Sequence, residues 1–275
     1  MPLPFRIATR PGRADRDNED FAAATDRTAV VLDGVSAQPG NGCVHGVAWY
    51  TRRLGGLLLA GADSGAPLRT ALAEAIGAAS SLHAATCDLA LQETPSATVV
   101  VARVSGAHLE YLVLSDSVLV VPGRAGARLF AETRLEELRA ELARVPHESV
   151  PDTPERDEEE RRRRDALRAR RNVDGGFWTA GADPRAADAA LVGAIPLEGV
   201  RGWVAMTDGA SRAVDVFGVH DWSSAAELVL DRGPLALIEQ VRGSEEADAD
   251  GHVFPRGKSS DDATVLTWTP DFGQD

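Results

Sequence analysis

Apolar runs broken by turn residues open the chain and predict its first elements. Phe5–Thr9, Phe21–Ala24 and Thr28–Leu32 read as short strands. The apolar positions then move to helical spacing. One helix is predicted from about Val44 to Leu59. A second runs from Pro67 to Leu91, with Leu68, Leu72, Ile76, Leu82 and Leu89 along one face. Two Val- and Leu-rich strands follow, Ser96–Val104 and His108–Val121, joined by Ser-Gly-Ala as a hairpin. Strands, then helices, then strands is not the alternation of a doubly wound parallel sheet. The order predicts an antiparallel α+β architecture.

The stretch from about 131 to 175 is different material. Thr133-x-x-Glu136 reads as a capping box opening a helix to about Arg144. The prolines of VPHESVPDTP (145–154) mark a loop. Glu155–Arg171 is a highly charged helix candidate, acidic residues first and arginines after, which suits the helix dipole and i,i+4 pairing. A solvated helical face is the simplest reading of it, with recognition of an anionic partner as the alternative. Beyond it, GWVAMTDGASR (202–212) reads as an apolar strand ending in Asp208-Gly209. Helices are predicted over Ser224–Leu230, opened by Ser224-x-x-Glu227, and over Pro234–Arg242. A final strand covers Ala263–Thr269.

Composition narrows the function classes. With 275 residues, 44% hydrophobic but only 5% aromatic, the core must be built from Val, Leu and Ala. The formal charge of −13 argues against nucleic acid as a partner, because phosphate binding needs a basic stripe. It favours cation attraction wherever carboxylates converge. Lys258 is the sole lysine. No apolar run is long enough to span a bilayer, and the first residues lack the apolar segment of a secretory signal, so a cytoplasmic chain with no membrane partner is expected. Cys43 and Cys87 could pair but lack a disulfide framework, and reduced thiols are the simpler expectation. The six histidines show no zinc spacing.

Carboxylates recur where apolar strands meet turns. Asp33 follows AVVL, Asp116 interrupts YLVLSDSVLVV, Asp208 follows WVAMT, and Asp261 precedes ATVLTW. Asn18-Glu19-Asp20 precedes FAAAT in the same way. A single Asp-Gly at a strand end is commonly a turn. Five such positions suggest a shared site, which stays ionised only if cations occupy it. Hard oxygen ligands suit Mg²⁺ or Mn²⁺.

The segments NEDF, VVLDG, PSATVVVA, VLSDS, VAMTDGAS and DDATVLTW, in this order, resemble the metal-dependent serine/threonine phosphatases of the PP2C (PPM) family. The likeness covers nearly the whole chain, with 131–175 standing as a charged helical insert or flap. It implies an α+β fold: a four-layer α-β-β-α sandwich of two antiparallel sheets flanked by helix pairs, formed by one domain over 1–275. It implies two Mg²⁺ or Mn²⁺ ions, with room for a third. Asp33 would bridge both ions and the Gly34 carbonyl would bind one; Asp208 and Asp261 would hold the other. Glu19 and Asp20 would act directly or through waters, and Asp116 with Asp208 would form a weaker third site. Asp262, where the family has Asn, would support the ligands from behind. A water bridging the two metals would attack phosphoserine or phosphothreonine in a phosphorylated protein substrate. A monomeric chain is expected.

Three departures bear on the site. The family's Asp-Gly-x-Gly-Gly-His segment is here the longer DGVSAQPGNGCVHG, so His45 stands either as the general acid or as a loop residue. The family's phosphate-binding arginine falls at Asp15, leaving Arg16, or Arg13, to take its place or to stand as solvated loop residues. Val118 replaces an arginine that is not a ligand. The altered loop keeps open a non-catalytic PPM module that binds a phosphoprotein or signalling partner. Hydrolysis of a small phosphate ester is a third reading. Other chemistries fit less well. Cys43 is followed six positions later by Trp49 rather than Arg, and GHVFPRGKSS has one residue too many for a P-loop. The acidic run 244–252 lacks calcium-loop spacing and reads as a solvated loop.

Overall fold

The computed structural model describes residues 5–36, 40–124, 126–143 and 154–270. Among these residues, ten strands form two five-stranded antiparallel sheets. The first sheet holds β1 (Phe5–Arg10), β10 (Ala263–Trp268), β9 (Trp203–Met206), β6 (Val118–Val121) and β7 (Arg128–Phe130), in that spatial order. The second holds β2 (Phe21–Ala24), β3 (Thr28–Val35), β4 (Ser96–Ser105), β5 (His108–Leu114) and β8 (Leu191–Pro196). Helices α1 (Val47–Asp63) and α2 (Leu68–His83) cover the second sheet. Helices α6 (Asp208–Asp215), α7 (Trp222–Arg232) and α8 (Pro234–Ala247) cover the first. The insert supplies α3 (Arg134–Ala143) and α4 (Pro154–Arg168), and α5 (Ala186–Ala189) is a single turn. Among the described residues, no helix is long and apolar enough to cross a membrane.

Strand periodicity sorts the side chains into three apolar layers. On β3, Val30 and Leu32 face α1 and α2, while Ala29 and Val31 face the other sheet. On β4, Val99 and Val101 take the helix side and Val100 and Ala102 the inter-sheet side. On β9 and β10, Val204, Met206, Ala263 and Val265 pack under α6–α8, leaving Ala205, Trp203, Leu266 and Trp268 between the sheets. Because both faces of these strands are buried, they read as nearly continuous apolar runs. Each fully buried Val or Leu contributes about 1.5–3 kcal/mol, so the four-layer core is spread over many modest terms.

Several predicted elements differ in extent. The expected strand His108–Val121 is two strands in different sheets, because the chain changes sheet at Ser115-Asp116-Ser117, where Ser115 takes a positive φ of 65°. The helix expected to reach Leu91 stops at His83, where the Thr86 and Cys87 amides both bond to the His83 carbonyl and close the last turn. Helix α7 starts at Trp222 rather than Ser224: Asp221 is the cap, accepting from the Ser224 amide at 2.7 Å. Thr133 Oγ1 donates to Glu137, one position beyond the expected Glu136. Arg144 and nearly all of the 145–154 loop lie outside the described residues. The acidic run 244–252 begins inside α8 and is solvated only in part: Glu246 and Asp250 are exposed, but two of its acids are not. Glu245 is buried between Arg212 and Arg242, and Asp248 is paired with Arg256 at 2.7 Å.

Candidate active site

Antiparallel pairing brings one end of every central strand to the same edge of the sandwich. In the second sheet, the last residue of β3, Val35, lies opposite the first of β4, Ser96, and Leu114 at the end of β5 lies opposite Val99. In the first sheet, Met206 at the end of β9 pairs with Val118 at the start of β6 and with Val265 near the start of β10. At this edge the inter-sheet face turns polar. Continuing the alternation from Ala29 and Val31 puts Asp33 between the sheets, and Thr98 lies opposite it. Thr98 Oγ1 and Ser117 Oγ, on opposite sheets, lie 2.5 Å apart. Thr207, just past β9, and Thr264 on β10 hold the corresponding places, bonded to each other through the Thr264 amide and Thr207 Oγ1 at 2.9 Å.

The Asp-Gly pairs at this edge are not turns. Gly34 lies within β3, and an added Cβ would stand 2.4 Å from Val47 and 2.7 Å from the Glu19 carbonyl. Gly209 opens α6, and a Cβ there would fall 1.9 Å from the Asp262 carbonyl. Both glycines let backbone pass close behind a carboxylate, which a side chain would prevent.

A cavity of about 370 Å³ opens at this edge, and Asp33, Gly34, Asp116, Asp208 and Asp261 all line it. These residues come from β3, the β5–β6 crossing, the first turn of α6 and the lead into β10. Burial, and then the neighbouring Asp208, Asp20 and Asp116, push the Asp33 carboxyl well above the usual range. Burial and Asp208 push Asp116 up to about 6, opposed by Arg139, whose Nη2 lies 3.4 Å from Asp116 Oδ2. Asp20 is buried behind the cavity. Its Oδ2 accepts from Thr207 Oγ1 at 3.0 Å, and its Oδ1 is buried with no hydrogen-bond partner. Burial, with Asp262 and Asp208 nearby, raises Asp20 to about 8. Asp261 is held from both sides, with Lys258 Nζ 2.7 Å from Oδ1 and Arg212 Nη2 3.2 Å from Oδ2.

Glu19 and Arg16 line an adjoining hollow that shares Ser36, Lys258 and Asp261 with the cavity. Glu19 Oε2 accepts from Ser36 Oγ at 2.9 Å. Arg13, also in this hollow, is paired with Asp15 at 2.8 Å. Asp262 accepts from the Gly12 and Glu19 amides at 2.8 and 2.6 Å, so it braces the backbone behind the ligand candidates. His45 lies elsewhere. Its ring stacks on Trp49 at 4.3 Å, and Nε2 is 3.1 Å from Thr86 Oγ1.

The insert contributes to the same cavity. Leu135 and Arg139 of α3, Leu167 and Arg168 of α4, and Arg171 and Phe177 beyond it also line it. Arg171 is buried, and its Nε has no hydrogen-bond partner. Sequence reasoning identified neither these residues nor Lys258 as part of the site. The one usable signal was the apolar spacing of Leu135, Leu138 and Leu167 within an otherwise charged segment; these three pack with Phe177.

The donor set suits a hard divalent cation: only carboxylate and backbone oxygens, crowded like charges, and one buried carboxylate oxygen left unpaired. The carboxylates stand around the cavity rather than meeting at one point. The group of His, Cys, Asp or Glu among the described residues whose ligand atoms all lie within 4.8 Å of one another is a different one, Cys43, His83 and Cys87.

Neither a scan of protein-family models nor a search of curated proteins finds a match. Solved structures do match. The serine/threonine phosphatase Stp1 from Staphylococcus aureus superposes with a TM-score of 0.59 over 98% of this chain and 96% of its own, at 14% identity. The catalytic domain of the serine/threonine phosphatase PstP, solved with two manganese ions, gives 0.56 over 96% of each chain at 16% identity. Serine-threonine phosphatase 2C from Toxoplasma gondii gives 0.55 over 96% of this chain and 94% of its own at 15% identity. The chain thus has the fold of the PP2C-type serine/threonine phosphatases.

Proposed function

We propose that the chain is a Mg²⁺- or Mn²⁺-dependent phosphatase that hydrolyses phosphoserine and phosphothreonine in proteins. The observation that supports this most strongly is the convergence of Asp33, Asp116, Asp208 and Asp261, from four separate elements, on one cavity that arginines also line. Asp33, the Gly34 carbonyl, Asp208 and Asp261 would hold two ions, Glu19 and Asp20 would support them, and Asp116 with Asp208 would hold a third. When bound, such ions lower the pKa of a shared water and neutralise phosphoryl oxygens. The chain's own residues do the rest. Arg139, Arg168 and Arg171 present positive charge to a phosphate dianion. Leu135, Leu167 and Phe177 give the neighbouring wall an apolar surface that excludes water. Arg16, exposed at the adjoining hollow, can reach the phosphate's outer face or bind the flanking peptide.

A second reading draws on Lys258. Its ammonium lies against Asp261 and 3.1 Å from Ser36 Oγ, so a protein cation already neutralises one candidate ligand. That arrangement favours a PPM-fold module that binds a phosphoprotein without turning it over. Turnover of p-nitrophenyl phosphate with Mn²⁺, with and without chelator, separates the two. The phosphatase reading expects metal-dependent hydrolysis that falls at least about 100-fold in Asp208→Ala, as losing several kcal/mol of charge stabilisation requires. Absence of turnover in the Mn²⁺-loaded chain overturns it. A phosphopeptide compared with small esters then tests the substrate class.

A further inference from the structure

We infer that Cys43, His83 and Cys87 form a Zn²⁺-binding site separate from the carboxylate cavity. Their ligand atoms all lie within 4.8 Å of one another. Both cysteines are free thiols. Cys87 Sγ donates to Cys43 Sγ at 3.0 Å, and Cys43 Sγ lies 3.5 Å from His83 Nδ1. His83 is 1% exposed, so its imidazole is held away from water and its Nε2 has no hydrogen-bond partner.

The backbone prepares this cluster. His83 is the last residue of α2, and the Thr86 and Cys87 amides both bond to its carbonyl, so the chain folds back and returns Cys87 to the same place. Cys43 arrives from the loop between β3 and α1. That loop is docked by the Asp88 amide on the Gly42 carbonyl at 2.9 Å, and turned within itself by the Cys43 amide on Asn41 Oδ1 at 2.9 Å. Three ligands are therefore brought together by hydrogen bonds that do not themselves need a metal.

Two sulfurs and an imidazole nitrogen suit a borderline-soft cation. Zinc takes such sets tetrahedrally, with the fourth place filled by water or another side chain. Mg²⁺ and Mn²⁺ prefer oxygen, so the sulfur ligands discriminate against them at this site. Each cysteine that ligates does so as a thiolate, so binding releases its proton to solvent and no electron changes hands. Zinc would therefore hold the segment that leads into α1 against the end of α2. The inference does not depend on the phosphatase reading.

The test is titration of the full, reduced, metal-stripped chain with Co²⁺. The expected result is a thiolate-to-cobalt charge-transfer band with the intense visible bands of a tetrahedral site, saturating at a single equivalent and abolished by Zn²⁺. Cys43→Ser and Cys87→Ser lose the charge-transfer band, whereas Asp208→Asn keeps it. Zn²⁺ raises the melting temperature of the wild type and of Asp208→Asn more than that of Cys87→Ser. The inference is overturned if the fully reduced wild-type chain gives no charge-transfer band, or if the band survives in both cysteine variants. Isolation of the metal-exposed chain with Cys43 and Cys87 joined as a disulfide overturns it equally.

Discussion

Lys258 Nζ lies 2.7 Å from Asp261 Oδ1, so the chain's only lysine is paired with a carboxylate that lines the central cavity. Partial desolvation lowers the pKa of the same ammonium, but Asp261, with Asp33 and Asp208, outweighs it and raises the pKa overall. Lys258 thus acts as a tethered monovalent cation where divalent ions are proposed to bind. Its side chain is 49% exposed, which limits the pair to about 0.5–1 kcal/mol. Lys258→Gln should therefore lower the Mn²⁺ concentration for half-maximal activity about two- to fivefold. An unchanged or higher requirement would show that Lys258 does not compete.

Arg139 tests the insert. It pairs with Asp116 and lines the same cavity as Asp33 and Asp208. Arg139→Ala should raise KM for a phosphopeptide about tenfold, the cost of one charge-assisted contact, while kcat changes less. A pure kcat loss with KM unchanged would mean that Arg139 acts through Asp116 alone.

The pH dependence of stability follows from the crowded carboxylates. In the metal-free chain, Asp116 is raised to about 6, Asp20 to about 8 and Asp33 well above 3.8, each chiefly by burial. The folded state therefore holds more protons than the unfolded state above about pH 4. The stability these groups contribute is fully present below that pH and is lost as the pH rises towards 8. Thermal melts in chelator should fall in midpoint across this window, and Mn²⁺ should restore more stability at pH 8 than at pH 5. A metal-free midpoint that rose from pH 5 to 8 would contradict the burial of these groups.

Gly209 tests the packing that positions Asp208. A Cβ at this residue would meet the Asp262 carbonyl at 1.9 Å, and the obstacle is backbone rather than a flexible side chain. Gly209→Ala should cost about 1–3 kcal/mol of stability and disturb Asp208 at the same time. Denaturant unfolding measures the first effect. A neutral result would mean that the start of α6 can move.

Much of the edge where the carboxylates meet was legible in the sequence, because strand alternation is a local signal. The apolar run ending at Asp33 puts an acid where a strand meets the edge, and the runs before Asp208 and after Asp261 do the same, although Val204, Met206, Ala263 and Val265 lie on the helix-covered face rather than between the sheets. The sheet change at Asp116 was hidden, since Leu114 and Val118 are equally apolar and only the positive φ of Ser115 separates two strands. Lys258 and Arg139 were hidden for another reason. Long cations on exposed segments carry no periodicity, and only tertiary packing shows where their tips arrive. The Cys43, His83 and Cys87 cluster was half visible. His83-x-x-x-Cys87 has the i,i+4 spacing of a ligand pair, but Cys43 joins it from 40 residues away through loop backbone bonds.

The central claim is that distant acids share divalent ions, and Mn²⁺ anomalous scattering from crystals grown at saturating Mn²⁺ tests it most directly. The account predicts at least two Mn²⁺ peaks inside the cavity bounded by Asp33, Asp208 and Asp261, and loss of at least one in Asp33→Asn. A cavity without Mn²⁺ at saturation, with Asp261 still paired to Lys258, would contradict it.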